Sequence, residues 1–379
     1  MIGGGSISSK SIPVFRPSMN QEEIDAVADV IKSGWIGLGP KTEIFEKKFA
    51  NFIGTKFAIG LNSETAALHL AVRALGINSG EVIVPAITFI STAFAACYNN
   101  AKPVFADVCE DTLNIDVEDI KKKITPDTRA IIPVHFGGHP AEMDEINELA
   151  VEYNLKVIED AAHACGASYK GKKAGSLADI GCFSFHAVKN LATGDAGMIT
   201  TNDEKINEIV CKLRWCGISK GTFERTKKRY SWYYEVDDVG YKYHMNDIMA
   251  AIALVQFKKL KKTNRRRREI TKIYNENFQK LDWIETPVEK KYVKSSNHNY
   301  VIKVSKRDEF MDFLGKNGIS TSVHYMPLHL HPVFKNIKTN VPVAERVWKR
   351  LVTLPLYPDM SNEQVEHIVK TVKKFSRLV

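Results

Sequence analysis

Short apolar runs alternate with stretches of helical periodicity along the first two-thirds of the chain. Strands are predicted over residues 57–60, 81–85, 103–108, 129–134, 156–158, 181–185 and 197–201. Apolar positions spaced for a helix fill the gaps, at 65–75, 91–99, 117–123, 142–153 and 203–214. This alternation is that of a doubly wound α/β domain with right-handed crossovers. An N-terminal helix is predicted over 18–34, with Asn20 as its cap and Glu22 and Glu23 in its first turn. Near Asn246 the pattern changes to one long amphipathic helix, 246–279. Beyond it, short strands at 299–304 and 320–324 mix with helices at 307–317 and 362–375. The expected organisation is a large α/β domain over 13–245 and a smaller α+β domain over 246–379, with no internal repeat.

The length of 379 residues suits one large domain plus a smaller one, with a core that needs no disulfides. No apolar run approaches the roughly 20 residues that span a bilayer, so no membrane association is expected. The opening MIGGGSISSK lacks the apolar centre of a signal peptide and reads as a flexible leader. Six cysteines form no CxxC pair, so neither a metal site nor a disulfide framework is expected. Cys165 and Cys182 lie in strand-like or small-residue surroundings, where a free cysteine acts as a small hydrophobe.

Charge changes the picture more. The net charge is +9, concentrated in KKLKKTNRRRR at 258–268 and in a second run at 220–229. Nucleic-acid proteins carry such runs. The first, however, continues the helical pattern of Ile248, Ile252, Val255 and Leu260, which reads as a solvated helix face rather than a nucleic-acid surface. A positive field also suits a small polyanionic substrate.

Candidate chemistry concentrates between Lys156 and Thr201. One buried-strand-like run delivers Asp160 at its C-terminal end, and a second delivers Ser184, His186 and then Lys189. Ligands of α/β sheets sit at the C-terminal ends of strands. A carboxylate and a lysine presented there together suggest a pyridoxal phosphate (PLP) site, the acid holding the pyridine nitrogen protonated and the amine anchoring the cofactor as a Schiff base. Ala161 and Ala162 leave room for a flat ring. The plain alternative is that Asp160 caps a helix and Lys189 is a solvated loop residue. The turn Gly60-Leu61-Asn62-Ser63-Glu64-Thr65 opens a helix whose N–H groups suit a phosphate, although a serine there is often only a cap. Phe89, after EVIVPA, sits where an aromatic side chain can stack on the ring opposite Ala162, or simply fill the core.

The ordered series SGWIGLGPKTEIFEKKFA, NSETAALHLAV, PAITFISTAFA, VIEDAAHACGA, FSFHAVKNLATGDAGMITT, GYKYHMNDIMAAIAL, VHYMPLH and LPLYPDM resembles the DegT/DnrJ/EryC1/StrS family from about Pro13 to the C-terminus. That resemblance implies the aspartate aminotransferase fold (fold type I), PLP as cofactor and a cytoplasmic homodimer with shared active sites. It implies Lys189 as the anchoring amine, Asp160 at the pyridine nitrogen, Ser184 with Thr65 at the phosphate, Phe89 on the ring, and Ser63 and Glu64 among the cofactor-binding residues. His163 falls near the phenolic oxygen, where many members carry glutamine. In GYKYHMND, Lys242 stands where many members have an asparagine that reaches the neighbouring subunit's phosphate, and His244 stands in place of arginine. Trp35, His186, His324 and Tyr325 are the implied substrate residues. The implied reaction moves an amino group from glutamate to a nucleotide-linked keto sugar, at carbon 4 of a UDP- or dTDP-linked 4-keto-6-deoxy sugar, for a surface polysaccharide or glycoconjugate. Amination at carbon 3, a PLP-dependent sugar dehydratase and a non-catalytic regulatory relative are the alternatives. The dehydratases replace the lysine by histidine, and Lys189 is present here.

Overall fold

The computed structural model describes residues 11–218 and 234–375. The basic run at 220–229 and the leader therefore lie outside the described residues. Asn20 accepts from Glu22 N at 2.9 Å and starts α1 (Gln21–Ser33), which Gly34 ends at φ 74°. In chain order there follow α2 (Pro40–Ile53), β1 (Phe57–Leu61), α3 (Glu64–Ala74), β2 (Glu81–Pro85), α4 (Ile90–Cys97), β3 (Lys102–Ala106), α5 (Val117–Lys123), β4 (Thr128–Ile131), α6 (Met143–Glu152) and β5 (Lys156–Asp160). A small hairpin, β6 (Ser168–Tyr169) and β7 (Lys172–Lys173), precedes β8 (Ile180–Ser184), β9 (Gly197–Thr201) and α7 (Glu204–Leu213).

Seven of these strands form one sheet in the order β1-β9-β8-β5-β4-β2-β3. β9 runs antiparallel to both β1 and β8, while β8, β5, β4, β2 and β3 are mutually parallel. Two antiparallel steps restore direction, so β1, β2, β5 and β8 all end on one edge. Pro103 fits in β3 because that strand is at the sheet margin, where a missing N–H costs no central ladder bond. Three predicted boundaries move for local reasons. The strand predicted at 129–134 ends at Ile131, since Pro133 has no N–H to donate. The strand predicted at 103–108 ends at Ala106, because the Asp107 carboxylate caps a later helix through Val343 N and Ala344 N at 2.8 and 2.7 Å. The strand predicted at 320–324 is an isolated bridge between Ser322 and Thr353. There the His324 Nδ1 bond to Thr353 Oγ1, at 2.8 Å, draws the chain out of a regular ladder and toward the site.

Both sheet faces are covered. Phe45 and Phe49 of α2 pack with Phe183, Phe185 and the start of α8 (Asp247–Phe278) on one face, while α3, α4 and α7 bury the other. α8 has 32 residues, about 48 Å at 1.5 Å per residue, and so reaches two cores. Its first half packs on the sheet; Ile270, Tyr274 and Phe278 join a second core. That second core surrounds the sheet β10-β12-β13, made of β10 (Ile284–Glu285), β12 (Tyr300–Val304) and β13 (Leu351–Leu354). β11 (Val293–Lys294) instead joins the β6–β7 hairpin. α9 (Arg307–Lys316), α10 (Pro342–Val347) and α11 (Asn362–Phe375) complete the described chain. Ile12 belongs to the second core and bridges to Ile319, so the first described residues lie against the C-terminal part.

The basic run on α8 is more than a solvated face. Lys259 binds Glu23 of α1 at 2.8 Å, Arg266 donates to Met360 O at 3.0 Å, and buried Arg267 donates to Leu356 O at 2.8 Å. Those cations hold neighbouring elements onto the helix. Among the described residues no helix is long and apolar enough to cross a membrane.

Candidate active site

The shared edge of β1, β2, β5 and β8 opens on a cavity of about 380 Å³. β5 places Asp160 there, and β8 places Ser184. The start of α3 after β1 contributes Ser63, Glu64 and Thr65; the turn after β2 contributes Thr88 and Phe89. Lys189 comes from the loop between β8 and β9, which folds on itself through Phe185 N to Ala196 O at 2.8 Å and Ala187 N to Gly194 O at 2.9 Å.

Asp160 is buried and firmly held. Its Oδ2 accepts the Thr92 hydroxyl at 2.8 Å and its Oδ1 accepts Ala162 N at 3.2 Å. Thr92 is itself tied to Thr88 Oγ1 at 2.9 Å. Behind the strand, Glu159 accepts Gly175 N and Leu177 N, each at 2.7 Å, and pairs with His135 Nε2 at 2.9 Å. Since His135 Nδ1 accepts Ala141 N at 3.1 Å, Nε2 carries the proton that goes to Glu159. Both side chains are fully buried, so this pair fixes the strand end that carries Asp160.

Across the cavity the Lys189 amine has no hydrogen-bond partner among the described residues. Burial lowers its pKa below the ordinary lysine value, against the opposing pull of Glu64 and Asp160. Glu64 shifts the other way: burial first, and the Asp160 charge second, raise its carboxyl well above the usual range. At the mouth, Ser63 Oγ accepts Ala66 N at 3.1 Å, while Thr65 Oγ1 and Ser91 Oγ share a bond of 2.7 Å. The N–H groups of Glu64 and Thr65 start the helix and so have no acceptor within it.

His163 has its tautomer set by its neighbours. Gly137 N donates to Nδ1 at 3.3 Å, so the proton sits on Nε2, 3.2 Å from Tyr325 Oη. Burial first, then Lys189, lowers the His163 pKa well below the usual value, which keeps the ring neutral. His324 is likewise pushed down to about 4, by burial and then by Lys189. Burial, followed by the Asp160 charge, raises the Tyr325 phenol. Phe89 stands 54 % exposed at the rim, its ring centroid 6.3 Å from that of Tyr325. A buried acceptor, a buried amine with a lowered pKa and a helix start thus face one cavity.

Comparison with known proteins agrees with this geometry. Residues 17–373 match the DegT/DnrJ/EryC1/StrS aminotransferase family. The chain belongs to that family. It is 48% identical to the protein MJ1066 of Methanocaldococcus jannaschii, over 97% of this chain and 98% of the relative. It is 42% identical to the spore coat polysaccharide biosynthesis protein SpsC of Bacillus subtilis, over 96% of each. Among solved structures, Spr1654 of Streptococcus pneumoniae, described as a sugar aminotransferase and solved in a PLP form, has a TM-score of 0.90. It is 32% identical, with 97% of this chain and 99% of that one covered. The fold and enzyme class of this chain are those of the PLP-dependent sugar aminotransferases.

For a DegT/DnrJ/EryC1/StrS aminotransferase, the residues present fit PLP. Asp160 is an acceptor whose two oxygens are already oriented, Lys189 is an unbonded amine, and the α3 start offers N–H groups to a phosphate. His186, His324 and Tyr325 line the same cavity. Two predicted residues do not. Trp35 donates from Nε1 to Leu38 O at 3.0 Å within its own loop. Lys242 is exposed, with its ammonium 3.4 Å from the centroid of the Trp215 ring. The residues not foreseen are Thr92, which orients Asp160, and His298, whose ring lies 4.5 Å from that of His163. A helix such as ISTAFAAC carries no sign that its threonine reaches a strand end elsewhere.

Proposed function

We propose that this family member transfers an amino group from glutamate to carbon 4 of a UDP- or dTDP-linked 4-keto-6-deoxy sugar, supplying an amino sugar for a surface polysaccharide or glycoconjugate. The observation that carries the reading is the meeting of a doubly hydrogen-bonded Asp160 and an unbonded Lys189 in one cavity. PLP, when bound, supplies an electron sink that makes the donor's Cα–H acidic enough to lose its proton. Asp160 keeps the proton on the ring nitrogen, because a buried carboxylate favours a charged partner. Lys189 takes the proton from the donor Cα and returns it at C4′; in the second half-reaction it works in the reverse sense at the sugar carbon. Its lowered pKa suits that work, since a base must spend time without its proton. His163, neutral and fixed by Gly137, directs an N–H toward Tyr325 and the phenolic oxygen's side of the site.

In this reading the α3 start binds the phosphate through Ser63, Glu64 and Thr65 backbone and hydroxyl groups, with Ser184 beside them. Phe89 covers one ring face, and His186, His324 and Tyr325 meet the substrate. Residues 13–245 are the cofactor-binding unit and 246–379 the smaller one, in a cytoplasmic protein. A panel of nucleotide-linked 4-keto and 3-keto sugars, incubated with glutamate and read by mass spectrometry, should give an amino product with a 4-keto sugar. An amino product from 3-keto sugars alone moves the position to carbon 3. If no nucleotide sugar reacts while a simple keto acid pair turns over quickly, the substrate class is wrong.

Lys242, outside this chain's own cavity, is assigned to the site of a second copy. Mixed chains test that assignment. Lys242→Ala and Lys189→Ala proteins, each of low activity, should regain activity when exchanged into heterodimers. One site then keeps Lys189 from one chain and Lys242 from the other. No gain on mixing, or full activity in a monomer by light scattering, refutes the shared site.

A further inference from the structure

Glu64 opens α3, and its backbone is pinned. A Cβ on Gly197 would lie 2.4 Å from the Ser63 carbonyl and 2.6 Å from Glu64 N, so β9 presses directly on this turn. Asn62 N donates to Tyr243 O at 2.6 Å, and Ser63 caps the helix through Ala66 N. Only the Glu64 side chain is left to turn. It faces the cavity, in contact with the Asp160 carboxylate. Its Oε1 is closed to solvent and no donor reaches it.

Asp160 is no donor either, since its oxygens already accept Thr92 O–H and Ala162 N–H. Two carboxylates in contact cannot both stay ionised, so the pair holds a proton. Both Asp160 oxygens already accept a hydrogen bond, so Glu64 is the carboxyl of the pair that can act as donor. The other groups facing Glu64 are Lys189, Cys182 and Tyr325; of these, Lys189 favours the ionised form but is outweighed by burial and Asp160.

We propose that Glu64 competes with the ring nitrogen of PLP for Asp160. The protonated carboxyl and a protonated pyridine nitrogen are alternative donors to one carboxylate, so cofactor uptake requires the Glu64 side chain to turn away. This rests on the PLP reading given above. Turned away, Glu64 is an ordinary acid with a reference pKa of about 4.3, and its proton goes to solvent near neutrality. Uptake by the wild-type chain therefore releases one proton more than uptake by a chain without this carboxyl. Relative to such a chain, wild-type affinity rises with pH, by up to about ten-fold per unit.

The test is the PLP dissociation constant of the full chain, wild type, Glu64→Ala and Glu64→Gln, between about pH 6 and pH 8 by equilibrium dialysis. Glu64→Ala should bind more tightly than wild type by about ten-fold at the acid end, with the gap closing as pH rises. Glu64→Gln, whose amide donates to Asp160 without titrating, should bind less tightly than Glu64→Ala. The ratio of wild-type to Glu64→Gln affinity should rise with pH. An alanine variant no tighter at any pH, or a gap that ignores pH, overturns the proposal. Should the alanine variant fail to fold, a flat wild-type to Glu64→Gln ratio does the same. Failure of the PLP reading itself looks different: wild type and Lys189→Ala would then bind PLP equally poorly.

Discussion

Lys189→Ala and Lys189→Arg should both fold normally and lose turnover by at least about 10⁴-fold, the upper range for removing a positioned acid–base group. The fold is spared because the loop is held by its backbone, through Lys189 N to His186 O at 2.9 Å and the Phe185–Ala196 and Ala187–Gly194 bonds. None of these uses the amine. The sign of the titration agrees: burial lowers the Lys189 pKa, so the charged side chain is a cost to the folded state below that pKa and its loss does not destabilise. Arginine keeps the charge yet cannot give up its proton in this range, so it fails as a base as fully as alanine does. Turnover with glutamate, cofactor absorbance and a thermal melt measured together decide the matter. A variant that melts like wild type and still turns over steadily would place the base elsewhere.

How much of this was legible before the fold was known depends on sequence distance. Asp160, Ser184 and Lys189 come from neighbouring strand ends in a single stretch, so their apolar runs and polar endings announce them together. Thr92 lies 68 residues from the Asp160 it orients, and Tyr325 lies 162 from His163. A threonine in a short helix and a tyrosine after an irregular edge show no periodicity that joins them to those partners. The Glu64 turn was readable as a helix start with a serine cap, as found. Its carboxyl, however, meets Asp160 only because β1 and β5 end on the same edge of the sheet. The short fully buried β13 shows the same limit within the fold, since LVTL is too brief to reveal a strand period against its neighbours. Long α8 was plain in its periodicity, but which of its cations would turn inward, as Arg267 does, was fixed by the second core.

Asp160→Asn should keep the fold and part of the cofactor affinity while slowing transamination by roughly 10³-fold. The amide is nearly isosteric and its hydrogen bonds can be re-made. Its oxygen can still accept Ala162 N, and its N–H can donate to Thr92 Oγ1, which then donates to Thr88 Oγ1 at the existing 2.9 Å. The groups Asp160 now holds, Ala162 N–H and the Thr92 hydroxyl, both keep a hydrogen bond, so the cost of leaving them unpaired is avoided. What disappears is the negative charge beside the ring nitrogen. Two unit charges about 4 Å apart interact by about 4 kcal/mol at an effective dielectric of 20. Expressed fully in the barrier, that is a factor of about 10³. The loss should fall mainly on kcat, because the charge matters most when electrons move toward the ring and the nitrogen must hold its proton. The same substitution removes the like charge facing Glu64, so the raised pKa of that carboxyl should fall back toward the usual range. Steady-state kinetics with glutamate separate kcat from KM, and near-normal kcat in Asp160→Asn would mean that the ring nitrogen faces another residue.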